Sequence, residues 1–184
     1  MKKLILIELN EINFDAVNFY IESGITLPGF ERIINKGLVI TKAEMEYDQI
    51  EPWIQWPSVH TGKPFSEHQV FRLGDFCHSN QAQFFEKIEA AGFVVGAISP
   101  MNAINNLSRP AYFIPDPWTQ TPSDGSFFSR IITSSVSQAV NDNSQSKLTV
   151  TTIFHLIIAF FALVRPRRFI PMIKYAVTAL GKPW

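Results

Sequence analysis

The chain has 184 residues, 46% of them hydrophobic and 17% charged, enough for one domain with a sizeable buried core. Lys plus Arg and Asp plus Glu both number 16, so no whole-chain charge draws it to nucleic acid, and no nucleic-acid partner is expected. Cys77 is the single cysteine, which excludes an internal disulfide and leans toward a reducing, cytoplasmic setting.

The N-terminus runs apolar only as far as Ile7 before Glu8, Asn10 and Glu11 interrupt it, which argues against a signal peptide. Lys3 to Leu9 instead reads as a fully buried strand of a parallel sheet. Its far end carries Glu8, Asn10, Glu11 and Asn13, and polar groups just past the carboxyl end of a parallel strand are where α/β proteins bind ligands. Asn13 suits a helix cap, Phe14, Val17, Tyr20 and Ile21 share one helical face, and Gly24 suits the stop. Pro28 opens a second helix bearing Phe30, Ile33 and Ile34, with Gly37 at its end. Leu38 to Met45 reads as a second strand. Asp48 to Gly62 reads as loop and then helix, although Pro57 forbids a regular helix interior.

Ser79 or Asn80 caps a helix over Gln81 to Ala91 with Phe84, Phe85 and Ile88 on its apolar face. Phe93 to Ile98 is a third strand, ending in Ser99, Pro100, Asn102, Asn105 and Asn106, and Tyr112 to Ile114 a short fourth. This alternation predicts an α/β fold over residues 1–118, a largely parallel sheet flanked by helices. Residues 119–184 read as a helical region: Asp124 to Val140 helical, a polar linker from Asn141 to Ser146, an apolar run from Leu148 to Val164, the cluster Arg165-Pro166-Arg167-Arg168, and a last helix to Leu180. The apolar run falls short of the ~20 residues that span a bilayer. It reads first as a buried or interfacial helix, and second as a segment that brings 148–168 against a membrane surface, its basic flank facing an anionic leaflet.

Glu51 to Asp75 has little helical or strand periodicity and gathers Trp53, Trp56, His60 and His68 around Thr61-Gly62. It lines a site or forms a Trp-rich packing loop. Together with the strand-end polar set, Leu27-Pro28-Gly29-Phe30, Thr61-Gly62 and Glu67-His68, it resembles the N-terminal part of the alkaline phosphatase superfamily, over Leu4 to Ser99. The nearest branch is the type I phosphodiesterase/nucleotide pyrophosphatase and sulfatase-like group. The phrases LNEINFD, EPWIQWPSVHTG and AISPMNA also resemble hydrolase-like proteins of bacterial surface-polysaccharide clusters.

The resemblance implies a metal-dependent hydrolase or phosphoryl-group transferase acting on a small-molecule or glycan phosphate or sulfate ester. In that family two divalent metals lower the pKa of a helix-terminal nucleophile and stabilise the ester oxygens. The family's strand-end Asp-Gly falls on Asn10-Glu11, and its nucleophile position on Pro52, beside Glu51. Ser58 is a nearby hydroxyl, and Gln69 replaces the glycine after His68. The later Asp-x-x-x-His and Asp-His-Gly ligand segments have no counterpart after Ser99, which matches the front part of such an enzyme.

On this reading Asn10, Glu11 and Glu51 are the candidate ligands for one divalent metal, Zn or Mn, with a second metal not expected. Ser58 is the candidate nucleophile and Glu51 its candidate base. Each has a plainer reading beside it. Asn10 and Glu11 also suit caps on the strand–helix turn, and Glu51 a loop carboxylate paired to Arg72. Ser58 lacks a base in helical register, because His60 two residues on does not face it. His68 ties a loop to Asp75 or Glu67. Asn10, Glu11, Glu51 and Ser58 are expected to share one pocket at the carboxyl edge of the sheet. The rival readings are a non-catalytic binding module of the same fold and a membrane-associated interaction protein.

Overall fold

The computed structural model describes residues 3–141 and 149–180. The first helix, α1, spans Phe14–Glu22, and Asn13 caps it by accepting the Ala16 N–H at 3.0 Å. It turns off at Gly24, whose φ of +82° is the left-handed conformation that glycine takes without strain. Helix α2, Pro28–Ile34, starts on a proline that needs no N–H partner, and the Glu31 carboxylate reaches back to the Leu27 N–H.

Helix α3 is Pro52–Thr61, with Pro57 inside it. A proline there has no N–H for the carbonyl one turn back, which is that of Trp53. The Asn102 side chain supplies the missing donor, its Nδ2 lying 2.7 Å from the Trp53 oxygen. The same amide donates to Arg72 O, and its Oδ1 accepts the N–H groups of Gly74 and Phe76. Asn102 is fully buried, sits at φ +51°, and donates its own N–H to Asp116. Asp116, equally buried, also takes the Trp118 and Thr119 N–H groups and the Thr119 hydroxyl. The residues just past both strands of the sheet therefore clamp α3 and the 72–76 loop.

That sheet has two strands. Strand β1, Gly96–Ile98, pairs in parallel with β2, Tyr112–Ile114, with Ala97 opposite Phe113. Inward-facing Val95, Ala97 and Phe113 pack with Phe85 and Ala103, and Phe84 and Ile88 close the cluster. Phe84, Phe85 and Ile88 come from α5, Phe84–Ala90, which opens with a reciprocal cap between Gln83 and Glu86. Gln83 also exchanges two hydrogen bonds with the backbone of Ile104. Outward-facing Gly96 lies under the Tyr112 ring, where any added Cβ would sit 2.5 Å from the ring carbons. A second cluster of Val70, Phe76 and Ile104 lies beside the first.

The α/β class and the parallel pairing thus hold, with fewer strands than the sequence suggests. Lys3 to Leu9 and Leu38 to Met45 carry no sheet pairing. Their apolar side chains are exposed, Ile5 and Ile40 each at 83%. The buried-strand pattern is present in the residues, but these two segments find neither a ladder partner nor an apolar layer on both faces. Helix α4, Phe65–His68, is a single turn after α3.

Helix α6, Phe127–Asn141, is stitched to β2 by Asp124, which accepts the Phe113 N–H and the Ser126 N–H and Ser129 hydroxyl. Helices α7, Val150–Leu163, and α8, Phe169–Leu180, follow, joined by a tight turn over Pro166–Arg168. The expected linker lies outside the described residues, apart from Asn141 at the end of α6.

Candidate functional site

Helix α3 presents different faces to different neighbours, and the sequence-expected site residues divide among them. Trp56 and His60, four residues apart, face the N-terminal segment. The His60 ring is completely buried, stacked on Trp56 and flanked by Phe84 and Phe85. Its Nε2 lies 3.0 Å from a Glu8 carboxylate oxygen, while Nδ1 has no partner. The Trp56 indole N–H donates to Asn10 Oδ1, and the Asn10 amide reaches the Met101 sulfur at 3.9 Å.

Ser58 lies about 200° round the helix from Trp56, at 100° per residue, and so on another face. It borders a cleft of about 320 Å³ together with Gln55, Lys42, Glu44 and Lys63. Its Oγ is 2.9 Å from His68 Nε2. The other ring nitrogen, Nδ1, accepts the Val70 N–H at 3.0 Å. An acceptor nitrogen carries no proton, so neutral His68 has its proton on Nε2 and donates it to Ser58. Burial lowers the His68 pKa, against an opposing pull from Glu44, which favours that neutral form. His68 is therefore within reach of Ser58 but in the wrong tautomer to take its proton. Among the described residues no acceptor receives the Ser58 proton, which leaves it to donate into the cleft.

The cleft is lined by two cations, Lys42 and Lys63, and one carboxylate, Glu44. One Glu44 oxygen is engaged by the Phe65 N–H at 2.8 Å, at the start of α4. Among the described residues neither lysine forms an ion pair, and the ion pair there is Glu8 with His60.

The expected site residues make different contacts. Asn10 joins Trp56 at the N-terminal segment, and Ser58 lies in the cleft. Glu11 is exposed, at φ +59°. Glu51 is exposed at the start of α3, where its backbone carbonyl accepts the Ile54 and Gln55 N–H groups, and it makes no ion pair with Arg72. Among the described residues no group of three His, Cys, Asp or Glu is placed to hold a metal ion. The Asn10 amide oxygen accepts the Trp56 indole N–H.

His68 bonds to Ser58 and Val70 rather than to Asp75 or Glu67, and Asp75 accepts the Arg72 N–H instead. Lys42, Lys63 and the clamp residues Asn102 and Asp116 carry no local motif; only the polar ending of the third strand pointed toward Asn102. Comparison with protein-family models, with curated proteins and with solved structures finds no match to this chain.

Proposed function

We propose that the protein is a binding module for a phosphate or sulfate ester, held in the cleft between residues 42–44, α3 and α4. The observation that carries this reading is the Ser58 hydroxyl. It is fixed as an acceptor toward His68 Nε2–H, with its own proton free to donate into a cleft lined by two lysines that have no carboxylate partner among the described residues. Ester oxygens need such neutral and cationic donors, and Lys42 and Lys63 outnumber Glu44. The substrate class is the one implied by the resemblance to phosphodiesterases and sulfatases, a small-molecule or glycan ester. Ser58 acts as a hydrogen-bond donor to the ligand rather than as a nucleophile, since an unactivated serine stays protonated at neutral pH.

Titration with inorganic phosphate, sulfate and a nitrophenyl phosphate, followed by amide chemical shifts, tests the reading. Saturable shifts at Ser58, Gly62 and Lys63 with millimolar affinity are expected, weakened by salt and lost in a Lys42→Ala/Lys63→Ala variant. Absence of shifts at low ionic strength would refute it. A chromogenic phosphodiester or sulfate ester should remain uncleaved above background with Zn²⁺ or Mn²⁺ supplied. Turnover that disappears on Ser58→Ala would replace the binding module with the hydrolase.

A further inference from the structure

The far end of the molecule from this cleft in sequence, residues 149–180, contains no Asp or Glu and holds Arg165, Arg167, Arg168 and Lys174. Three of these cations sit in or beside the turn between α7 and α8, and all three are exposed. Next to the turn, the Phe169 ring packs on Phe160 and Phe161 at centroid distances of 5.2 and 5.4 Å, which fixes the corner where the two helices meet.

Both helices carry an apolar stripe that nothing described covers. On α7 it is Phe154, Ile157 and Phe161, and on α8 Ile170, Ile173 and Val177, all exposed. Each set is spaced i, i+3, i+7, so each lies along one helical face. Helix α6 packs on α7, and His155, Ile158 and Ala159, on a different side from this stripe, are half-buried.

We infer that this helical corner docks on an anionic lipid surface. Apolar stripes flanked by arginines with no acidic residue match a layer of acyl chains beneath negative headgroups. Long arginine side chains can hold their guanidinium groups at headgroup level while the helices lie below. A second copy meeting this corner through the same surface would bring no carboxylate to the arginines. Helix α7 has 14 residues, about 21 Å at 1.5 Å each, against a hydrocarbon core of about 30 Å. No helix among the described residues is long and apolar enough to cross a membrane, so the contact lies along the surface.

Vesicle flotation with the full chain tests the inference. The probes are phosphatidylcholine vesicles with and without phosphatidylserine. Selective binding to the anionic vesicles is expected, released by salt. Replacing Arg165, Arg167 and Arg168 together by Ala should weaken it by about fivefold per arginine, on the order of a hundredfold in all. The triple Lys variant should retain most of it. Ile170→Ser, at a fully solvated position, should weaken binding with unchanged circular dichroism. Equal binding to neutral and anionic vesicles, or no binding to either, would overturn the inference. So would a sedimentation experiment in which the apolar face is consumed by a dimer that Ile173→Asp dissociates.

Discussion

His68 shows how one backbone contact can settle the chemistry of a side chain. The Val70 N–H occupies Nδ1 and thereby commits Nε2 to donate to Ser58. Burial lowers the pKa, so the folded chain binds a proton at His68 less readily than the unfolded chain. The stability carried by the neutral ring is whole above pH 6.5, its ordinary value, and is lost as pH falls through the lowered folded-state value. Urea midpoints should therefore drop on acidification below neutrality. His68→Asn, which keeps an acceptor for Val70, should flatten that slope; an unchanged slope would place the dependence elsewhere. Asp124 sets a second, more acidic window. Burial works against its carboxylate, but hydrogen bonds from Ser129, Ser126 and Phe113 outweigh it and hold the pKa at about 2, below the ordinary 3.8. Its contribution is present above pH 3.8 and disappears as pH falls through about 2. Asp124→Asn should remove that portion of the acid-unfolding profile, read by circular dichroism.

At the level of elements, α3 depends on a partner distant in sequence. Its Pro57 leaves the Trp53 carbonyl without an intrahelical donor, and Asn102 provides one while tying down Arg72, Gly74 and Phe76. Asn102→Ala takes the donor from the Trp53 carbonyl and the acceptor from the Gly74 and Phe76 N–H groups, and should cost about 3–5 kcal/mol in urea unfolding, at about 1–3 kcal/mol per stranded group. Pro57→Ala restores an N–H that can reach Trp53 O. In that background Asn102→Ala should cost about 1 kcal/mol less, and a strictly additive double-mutant cycle would show that the proline is not what the amide serves. Much of this element was legible from residues. Asn13 as a cap, Pro28 at a helix start, the helix around Phe84 and Phe85, the strand at 112–114 and the 96–98 part of the strand expected over 93–98 all follow local chemistry and periodicity. The clamp was not legible, because Asn102 acts on groups many residues away and nothing local marks an asparagine as a replacement for a missing N–H. The site was less legible for the same reason. The polar strand ends suggested one pocket for Ser58 and Glu51, whereas the Ser58 hydroxyl is engaged by a ring on the next helix.

Across the whole molecule, the largest departure from the expected architecture lies in two apolar segments that stay in solvent. Leu4 to Ile7 and Leu38 to Ile40 have the composition of sheet-core strands, yet their side chains are exposed and their backbones find no ladder. Burying an Ile side chain is worth about 1.5–3 kcal/mol, so its location decides the sign of a substitution. In the observed arrangement Ile5 and Ile40 contribute almost none of that stability, each being 83% exposed. Ile5→Lys and Ile40→Lys should then leave the urea midpoint within about 0.5 kcal/mol of the parent, as surface changes do. The same substitutions should reduce concentration-dependent association in size-exclusion chromatography, because unpaired apolar segments are ready templates for intermolecular pairing. Hydrogen exchange supplies an independent reading: amides of 3–9 and 38–45 should exchange rapidly, and those of Ser99 and Ala111, which donate across the sheet ends, slowly. If either lysine substitution instead cost 2 kcal/mol or more and those amides were protected, on the scale of a buried Ile, the segments would be paired strands in solution. The sheet would then be the larger parallel one that their residues describe.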